Sequence, residues 1–414
     1  MSNGWRRTRI DKLVEFRNGM NFTQESRGQS IKVVGVGDFL DREILSDFSQ
    51  TNSVVINGQI NADDLLAEND LLFVRSNGNK ALVGRCVIVK GVTEPISFSG
   101  FTIRARIKAD NVDPSFLSKI FRSHLFHQHL HWFGCGSSIS NLSQDVLSNF
   151  SLDLPPLPEQ RKIAAILRTW DEAIEKLDAL ITSTERQHRT LTHSLVFGQM
   201  SLAPFRRSNG TKAFRWFSLP SSWECLPIGA VAIEISERHG KDEAAEVLSC
   251  SKYDGFVRSL EYFKKRVFST SLEGYKKIWR GDFGFPSNHI EEGSIGYQNI
   301  ADFGLVSPIY TVFRFAPEQI DSSYAYSVLK TSLYRHIFDV STSASVDRRG
   351  SLRWSEFSKI PFPIPPFDEQ RAIAEVLSMH SSKLAALAVE KRILEQQKRG
   401  LMQKLLTEEW RVKC

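Results

Sequence analysis

The stretch Pro155-Pro156-Leu157-Pro158-Glu159-Gln160-Arg161-Lys162-Ile163-Ala164-Ala165-Ile166-Leu167 returns in the same chain as Pro365-Pro366-Phe367-Asp368-Glu369-Gln370-Arg371-Ala372-Ile373-Ala374-Glu375-Val376-Leu377. The shift is 210 residues, from Gln160 to Gln370. The same shift aligns Leu177 with Leu387, Glu185 with Glu395, Gln187 with Gln397, Arg189 with Arg399, Leu191 with Leu401 and Leu195 with Leu405. A gapless match of this length marks a duplicated element.

Each copy reads as the start of a long helix. The prolines preset φ and lack an N–H, so they belong before or in the first turn, where donors have no intrahelical partner. Glu159 and Glu369 place a carboxylate near the positive end of the helix dipole. Apolar positions then step by three and four: Ile163, Leu167, Trp170, Ile174, Leu177, Ile181, Leu191 and Leu195. The second copy gives Ile373, Leu377, Leu384, Leu387, Leu394, Leu401 and Leu405. A seam held for about five heptads predicts a coiled coil. At ~1.5 Å per residue, forty residues make a rod of roughly 60 Å. Two unrelated amphipathic helices would leave the constant shift unexplained. The copies part at Gln187-His-Arg-Thr-Leu-Thr-His-Ser-Leu-Val-Phe-Gly, and the second has His380 where the first has Trp170.

With 414 residues the chain is long enough for two or more domains with real cores. A net charge of +6 is compatible with nucleic acid without requiring it. The cysteines Cys86, Cys135, Cys225, Cys250 and Cys414 have no CxxC spacing, which predicts free thiols in a reducing cytoplasm. The N-terminal residues lack the apolar core of a secretory signal. No run approaches the ~18 apolar residues of a membrane span, so a soluble cytoplasmic protein without a membrane partner is expected.

The segments ahead of the two helices are looser copies of each other. Trp5 opens one and Trp223 the other. Strand-like stretches follow: Ile31-Lys-Val-Val-Gly-Val, Ser53-Val-Val-Ile, Asp70-Leu-Leu-Phe-Val and Gly84-Arg-Cys-Val-Ile-Val-Lys, with Gly281-Asp-Phe-Gly-Phe-Pro paralleling Asn69-Asp-Leu-Leu-Phe-Val. Alternation, β-branched residues and Gly/Asn punctuation predict a curled, mostly antiparallel sheet. One helix is expected in each half, from about Asp113 to Trp132 and from about Pro317 to Phe338. Each ends in a small polar loop, Gly134-Cys-Gly-Ser-Ser-Ile-Ser-Asn or Ser341-Thr-Ser-Ala-Ser-Val-Asp-Arg-Arg-Gly. The expected order is a domain over 1–154, a long helix over 155–200, a linker over 201–221, a second domain over 222–364 and a second long helix over 365–414.

Two related domains held on paired rods can read two half-sites of one duplex, with the spacing set by protein geometry. The doubled Pro-Pro-(Leu/Phe)-x-Glu-Gln-Arg-x-Ile-Ala start and the late Glu395-Gln-Gln-Lys-Arg-Gly-Leu-Met-Gln-Lys-Leu-Leu-Thr resemble the specificity subunits of type I restriction–modification systems. The resemblance implies an α+β chain with two β-rich α/β target-recognition domains. These would be separated by two long antiparallel coiled-coil helices in a pseudo-twofold internal repeat. It also implies a non-catalytic subunit that binds double-stranded DNA and seats two methyltransferase subunits, through them recruiting restriction and translocase subunits. AdoMet, ATP and Mg²⁺ would then belong to the partners, with no cofactor in this chain. The residues agree: there is no Asn-Pro-Pro-Tyr motif, no GxxxxGK[ST] loop and no complete His/Cys metal-ligand set. An enzyme with an unrecognised active site, or a coiled-coil interaction scaffold that does not read DNA sequence, are the rival readings.

Candidate DNA contacts in the first domain are Arg75, Ser76, Asn77, Lys80 and Arg85, since Arg and Lys take guanine edges or phosphates and Asn takes adenine. In the second domain they are Lys252, Tyr253, Lys264, Lys265, Arg266, Ser287, Asn288 and His289. Arg348 and Arg349 lie in a small-residue loop matched by Ser137 and Ser138. Lys276 and Lys277 read more simply as a solvated charged face. His127 and His131 have i, i+4 metal spacing among His124 and His129, but no carboxylate or Cys completes a set and the apolar neighbours predict packing. If the rods set the spacing, Leu177→Pro will break the helix at a cost of about 3 kcal/mol or more. DNA-binding assays on targets of varied gap would then show lost discrimination of gap length; normal discrimination would refute the ruler.

Overall fold

The computed structural model describes residues 4–22, 28–56, 60–133, 141–205, 210–240, 245–342 and 351–412. The chain forms two compact units, one from residues 1–178 and 390–414, the other from 179–389. Both long helices are continuous, Leu157–Val196 and Phe367–Leu406. The division therefore cuts each helix, and each unit holds a segment of both. The physical reason is burial. Ile163, Leu167, Leu405 and Leu406 are core residues of the first unit, together with Phe73, Phe116 and Phe121. Leu195, Val196, Ile373 and Leu377 are core residues of the second, with Trp223, Phe313 and Tyr334. Much of the predicted seam is thus domain core. Nearer the helix middles, Trp170, Ile174, Leu384, Leu387 and Leu394 are only half-buried, because two helices can cover only one face of each other. Phe367–Leu406 is also long and apolar enough, by length and mean composition, to cross a membrane, although Glu375, Ser378, His380 and Lys383 interrupt its apolar residues. Its buried Glu369 and Gln370 and its core leucines show what it covers instead.

Within each unit the helix segments run antiparallel. In the first, Asp171 pairs with Lys398, and Asp178 with Lys391 at 2.6 Å. Asp171 also accepts from the buried Lys119, which reaches Glu43 at 2.5 Å. Burial alone would raise the Asp171 carboxyl, but Lys119 and Lys398 outweigh it and hold it below the usual carboxylate range. In the second unit, His188 stacks on His380 with ring centres 6.2 Å apart. The two positions where the copies diverge meet each other.

The first unit holds a five-stranded sheet in the order Val14–Asn18, Thr102–Ile107, Leu71–Val74, Cys86–Val89, Ile44–Leu45, and a three-stranded sheet of Ser53–Ile56, Gln29–Val34 and Ile96–Phe98. The pairing is mostly antiparallel, as expected; Gln29–Val34 with Ile96–Phe98 and Ile44–Leu45 with Cys86–Val89 run parallel. The second unit repeats the centre of this plan in Ala232–Ile235, Tyr310–Phe315, Phe283–Pro286 and Gly296–Tyr297. Asp70 pairs with Arg106 at 2.7 Å beneath one sheet, and Asp282 with Arg314 at 2.6 Å beneath the other. Each predicted domain helix is two: Pro114–Phe121 then His124–Phe133, and Ser322–Leu329 then Ser332–Ser341. Ser123 and Thr331 make the breaks by donating to the carbonyls of Ile120 and Val328, the local competition with helix bonding that such side chains offer. The stretch expected as a linker carries a hairpin, Thr211–Ala213 with Ser218–Pro220, whose Phe217 and Leu219 enter the second core.

The repeated motif joins each sheet domain to its helix. The Trp5 indole donates to Glu159 at 3.1 Å, and that of Trp223 to Glu369 at 3.0 Å. The Gln160 amide accepts from the Asp113 N–H at 2.8 Å and donates to the carbonyls of Asn111 and Pro155. Gln370 makes the same three bonds to Asp321, Gln319 and Pro365. Asp113 and Asp321 in turn cap the next domain helix, accepting from Phe116 and Tyr324. Arg411 adds a two-pronged ion pair to Glu159, at 2.8 and 3.0 Å.

Gln370→Leu removes all three backbone bonds of this amide and strands the buried Pro365 carbonyl, at a cost of about 1–3 kcal/mol for a buried group left unsatisfied. Chemical denaturation should show a lower midpoint; an unchanged midpoint would refute the bridging role. Burial, then the His380 ring, pushes the His188 imidazole below its usual value. The folded form thus prefers the neutral ring, so the unfolded chain takes up the proton first as pH falls. Stability from this site is complete above the unfolded value of about 6.5 and declines below it. Hydrogen exchange corrected for intrinsic rates should report looser second-unit helices at pH 5.5 than at pH 7.5, and His188→Gln should remove that part of the change. An equal change in the variant would assign it elsewhere.

Candidate nucleic-acid interface

Both units build the same junction at the end of the same central strand. In the first, the strand Leu71–Val74 runs into Arg75, whose N–H donates to the Phe101 carbonyl at 2.8 Å. The Arg75 carbonyl accepts from Leu142 at 2.7 Å, and Ser76 bridges to Asn141. The Arg75 guanidinium reaches the Gly100 carbonyl at 3.3 Å. In the second, the strand Phe283–Pro286 runs into Ser287, whose N–H donates to the Ile309 carbonyl at 3.3 Å. The Ser287 carbonyl accepts from Leu352 at 2.8 Å. Three chain segments distant in sequence therefore meet at one point in each unit.

The predicted residues divide around these junctions. Arg75, Ser76 and Asn77 are at the first and half-buried, with Lys80 exposed along the same loop. Asn77 accepts from the Asn79 N–H at 2.8 Å, so its oxygen shapes the loop. Arg85 is drawn off: it pairs with Asp41 at 2.7 Å and donates to the Leu40 carbonyl. Ser287, Asn288 and His289 are at the second junction. The Asn288 oxygen is buried without a hydrogen-bond partner, and His289 sits 3.3 Å from Glu292. The ligand atoms of His289, Glu291 and Glu292 lie within 4.8 Å of one another on one short turn. Ser137, Ser138, Arg348 and Arg349 lie outside the described residues.

Lys252 and Tyr253 form the turn of the hairpin Leu248–Ser251 with Gly255–Arg258, and Tyr253 is 80% exposed. Lys264 and Lys265 follow the short helix Ser259–Phe263 and are exposed. The Ser251 and Tyr262 hydroxyls, 3.2 Å apart, tie this group together. Arg266 donates to the Ser269 carbonyl and lies over the Phe268 ring. Lys277 pairs with Glu237 at 3.0 Å and Lys276 donates to the Tyr310 carbonyl at 2.6 Å, so both serve the fold. His129 donates its Nε2–H to the Val146 carbonyl, 2.7 Å away, with its ring stacked on Phe126. Burial pushes His127 and His129 below the usual histidine value, which fits the predicted packing role. Phe101 and Ile309, which meet Arg75 and Ser287 at these junctions, were not singled out from the sequence; aligning Arg106 with Arg314, a shift of 208 residues, places one on the other.

The model of the type I restriction modification DNA specificity domain matches residues 2–183 and 273–396. The type I restriction enzyme MjaVIII specificity subunit of Methanocaldococcus jannaschii is 24% identical over 392 residues, covering 92% of this chain and 87% of its own length. The putative MjaX specificity subunit of the same organism is 21% identical, covering 97% of this chain and 92% of its own. The StySPI specificity subunit of Salmonella potsdam is 25% identical over 215 residues, 51% of this chain and 44% of its own. Among solved structures, a chain from a type I R-M system described for complex assembly and conformational transition aligns with a TM-score of 0.61 at 16% identity, over 99% of both chains. The type I restriction-modification S subunit from M. genitalium aligns with a TM-score of 0.53 at 15% identity, over 98% and 97%. At these identities the likeness is one of fold.

Proposed function

The chain belongs to the type I restriction–modification DNA specificity family, and from that premise we propose that each unit reads one half of a bipartite DNA target. The observation that carries this is the repeated junction with changed chemistry. Arg75 stands on one where Ser287 stands on the other, and the bonds to Phe101 and Leu142 recur as bonds to Ile309 and Leu352. One backbone device with two sets of side chains reads two unlike sequences, so the target is asymmetric. Each long helix starts in the core of one unit and ends in that of the other.

Phosphate contacts supply most of the affinity and base contacts the sequence. In this reading Arg75, Ser76, Asn77 and Ser287 take base edges, and Lys80, Lys252, Lys264 and Lys265 take phosphates. The subunit itself performs no catalysis. It seats two methyltransferase subunits, and through them the restriction and translocase subunits, on its helices in the cytoplasm. AdoMet, ATP and Mg²⁺ are bound by those partners.

Methylome sequencing of a host expressing this chain with a cognate methyltransferase subunit tests the reading. A methylated motif of two unlike halves around a fixed gap is expected; an assembled complex that leaves no such motif would refute it. Binding to that motif should also weaken steeply with salt, by about 10³–10⁵ between 50 and 200 mM if 6–10 phosphates are neutralised. An affinity flat across that range would remove the phosphate contribution.

A further inference from the structure

We propose that Phe101 and Ile309 are the apolar base-contact residues of the two reading junctions, each seating against the 5-methyl group of a thymine in its own half-site. The inference rests on the DNA-reading role argued above and names the chemistry that role uses.

The two residues occupy the same place in two diverged units. Each is the third residue of a four-residue turn, Ser99-Gly100-Phe101-Thr102 and Ser307-Pro308-Ile309-Tyr310. Each turn is closed by the same backbone bond, Thr102 N–H to Ser99 at 2.8 Å and Tyr310 N–H to Ser307 at 3.0 Å. The Phe101 carbonyl takes the Arg75 N–H, and the Ile309 carbonyl takes the N–H and, at 2.7 Å, the hydroxyl of Ser287. These bonds hold each turn tip against its reading loop.

Both side chains are left in solvent, Phe101 61% exposed and Ile309 51% exposed. A single exposed apolar residue is ordinary. Two at one repeated position are a different observation, because turn chemistry favours Gly, Asn, Asp or Ser there and neither side chain serves a core. The neighbouring groups, Arg75, Ser76 and Asn77 in one unit and Ser287 in the other, offer hydrogen bonds to base edges. What they leave unread is the one apolar group of the major-groove edge, the thymine methyl, which Phe and aliphatic side chains contact. Phe101 and Ile309 differ in shape as the reading of unlike halves requires.

The test uses the full chain assembled with its methyltransferase subunits, on duplexes carrying the motif found by methylome sequencing. Thymines are replaced one at a time by uracil, which removes only the methyl. The wild-type complex should lose about threefold to tenfold in affinity at one position in each half, the worth of one buried methyl group. Phe101→Ala should abolish that response in one half and Ile309→Ala in the other, with melting temperatures unchanged; Phe101→Leu should keep part of it. A half-site without thymine, a wild-type complex indifferent to uracil, or a response that survives the alanine substitution would overturn the proposal. A uniform loss across all uracil positions in the variant would also overturn it, since that is the behaviour of a wedge between base pairs. A missing bipartite motif would instead sink the DNA-reading role itself.

Discussion

Gln160 and Gln370 are buried amides with three backbone partners each, and on those bonds the attachment of sheet to helix depends. Each glutamine holds the capping aspartate of a domain helix by its N–H, the carbonyl two residues before that aspartate, and the proline carbonyl ahead of its own helix. One planar side chain thereby orients two helices against each other. The adjacent glutamates take the Trp5 and Trp223 indoles, adding the strand that opens each domain. These bonds fix where each sheet domain sits on the start of its helix. A buried polar group must be satisfied or it costs free energy, so the clasp is rigid for the same reason that it is intolerant of change.

The duplication is faithful where it positions and divergent where it reads or pairs. The clasps, the Asp70–Arg106 and Asp282–Arg314 pairs and the turn closures all recur. The helix pairing does not. One unit uses Asp171 between Lys119 and Lys398; the other sets His188 against His380. Opposite charges in a half-buried seam hold across the physiological pH range, whereas burial, then the His380 ring, keeps the His188 imidazole below its usual value. The two ends of the helix pair therefore respond differently to pH, although they descend from one element.

Much of the plan was legible along the chain. The 210-residue shift fixes the duplication, the three-and-four spacing marks the helices, and the alternation marks strands such as Leu71–Val74 and Cys86–Val89. The parallel between Asn69-Asp70 and Gly281-Asp282 located the matching central strands. The breaks at Ser123 and Thr331 were not legible, because apolar spacing continues through them while a side-chain hydroxyl takes the helix carbonyl. Arg85 looked like Arg75 in sequence. Only the presence of Asp41, distant along the chain, separates a paired arginine from one at a junction.

What the sequence by itself determined is what depends on near neighbours, the helix periodicity and the strand alternation, together with the repeat, which is read directly from identity across a 210-residue shift. Tertiary structure decided which seam residues became domain core. It also brought Arg75, Phe101 and Leu142 together at one junction and Ser287, Ile309 and Leu352 at the other. The reason is that periodicity is a property of local backbone geometry, recorded in adjacent residues. A hydrogen bond between segments far apart in the chain is recorded in none of them singly, and exists only once burial has made each partner necessary to the other.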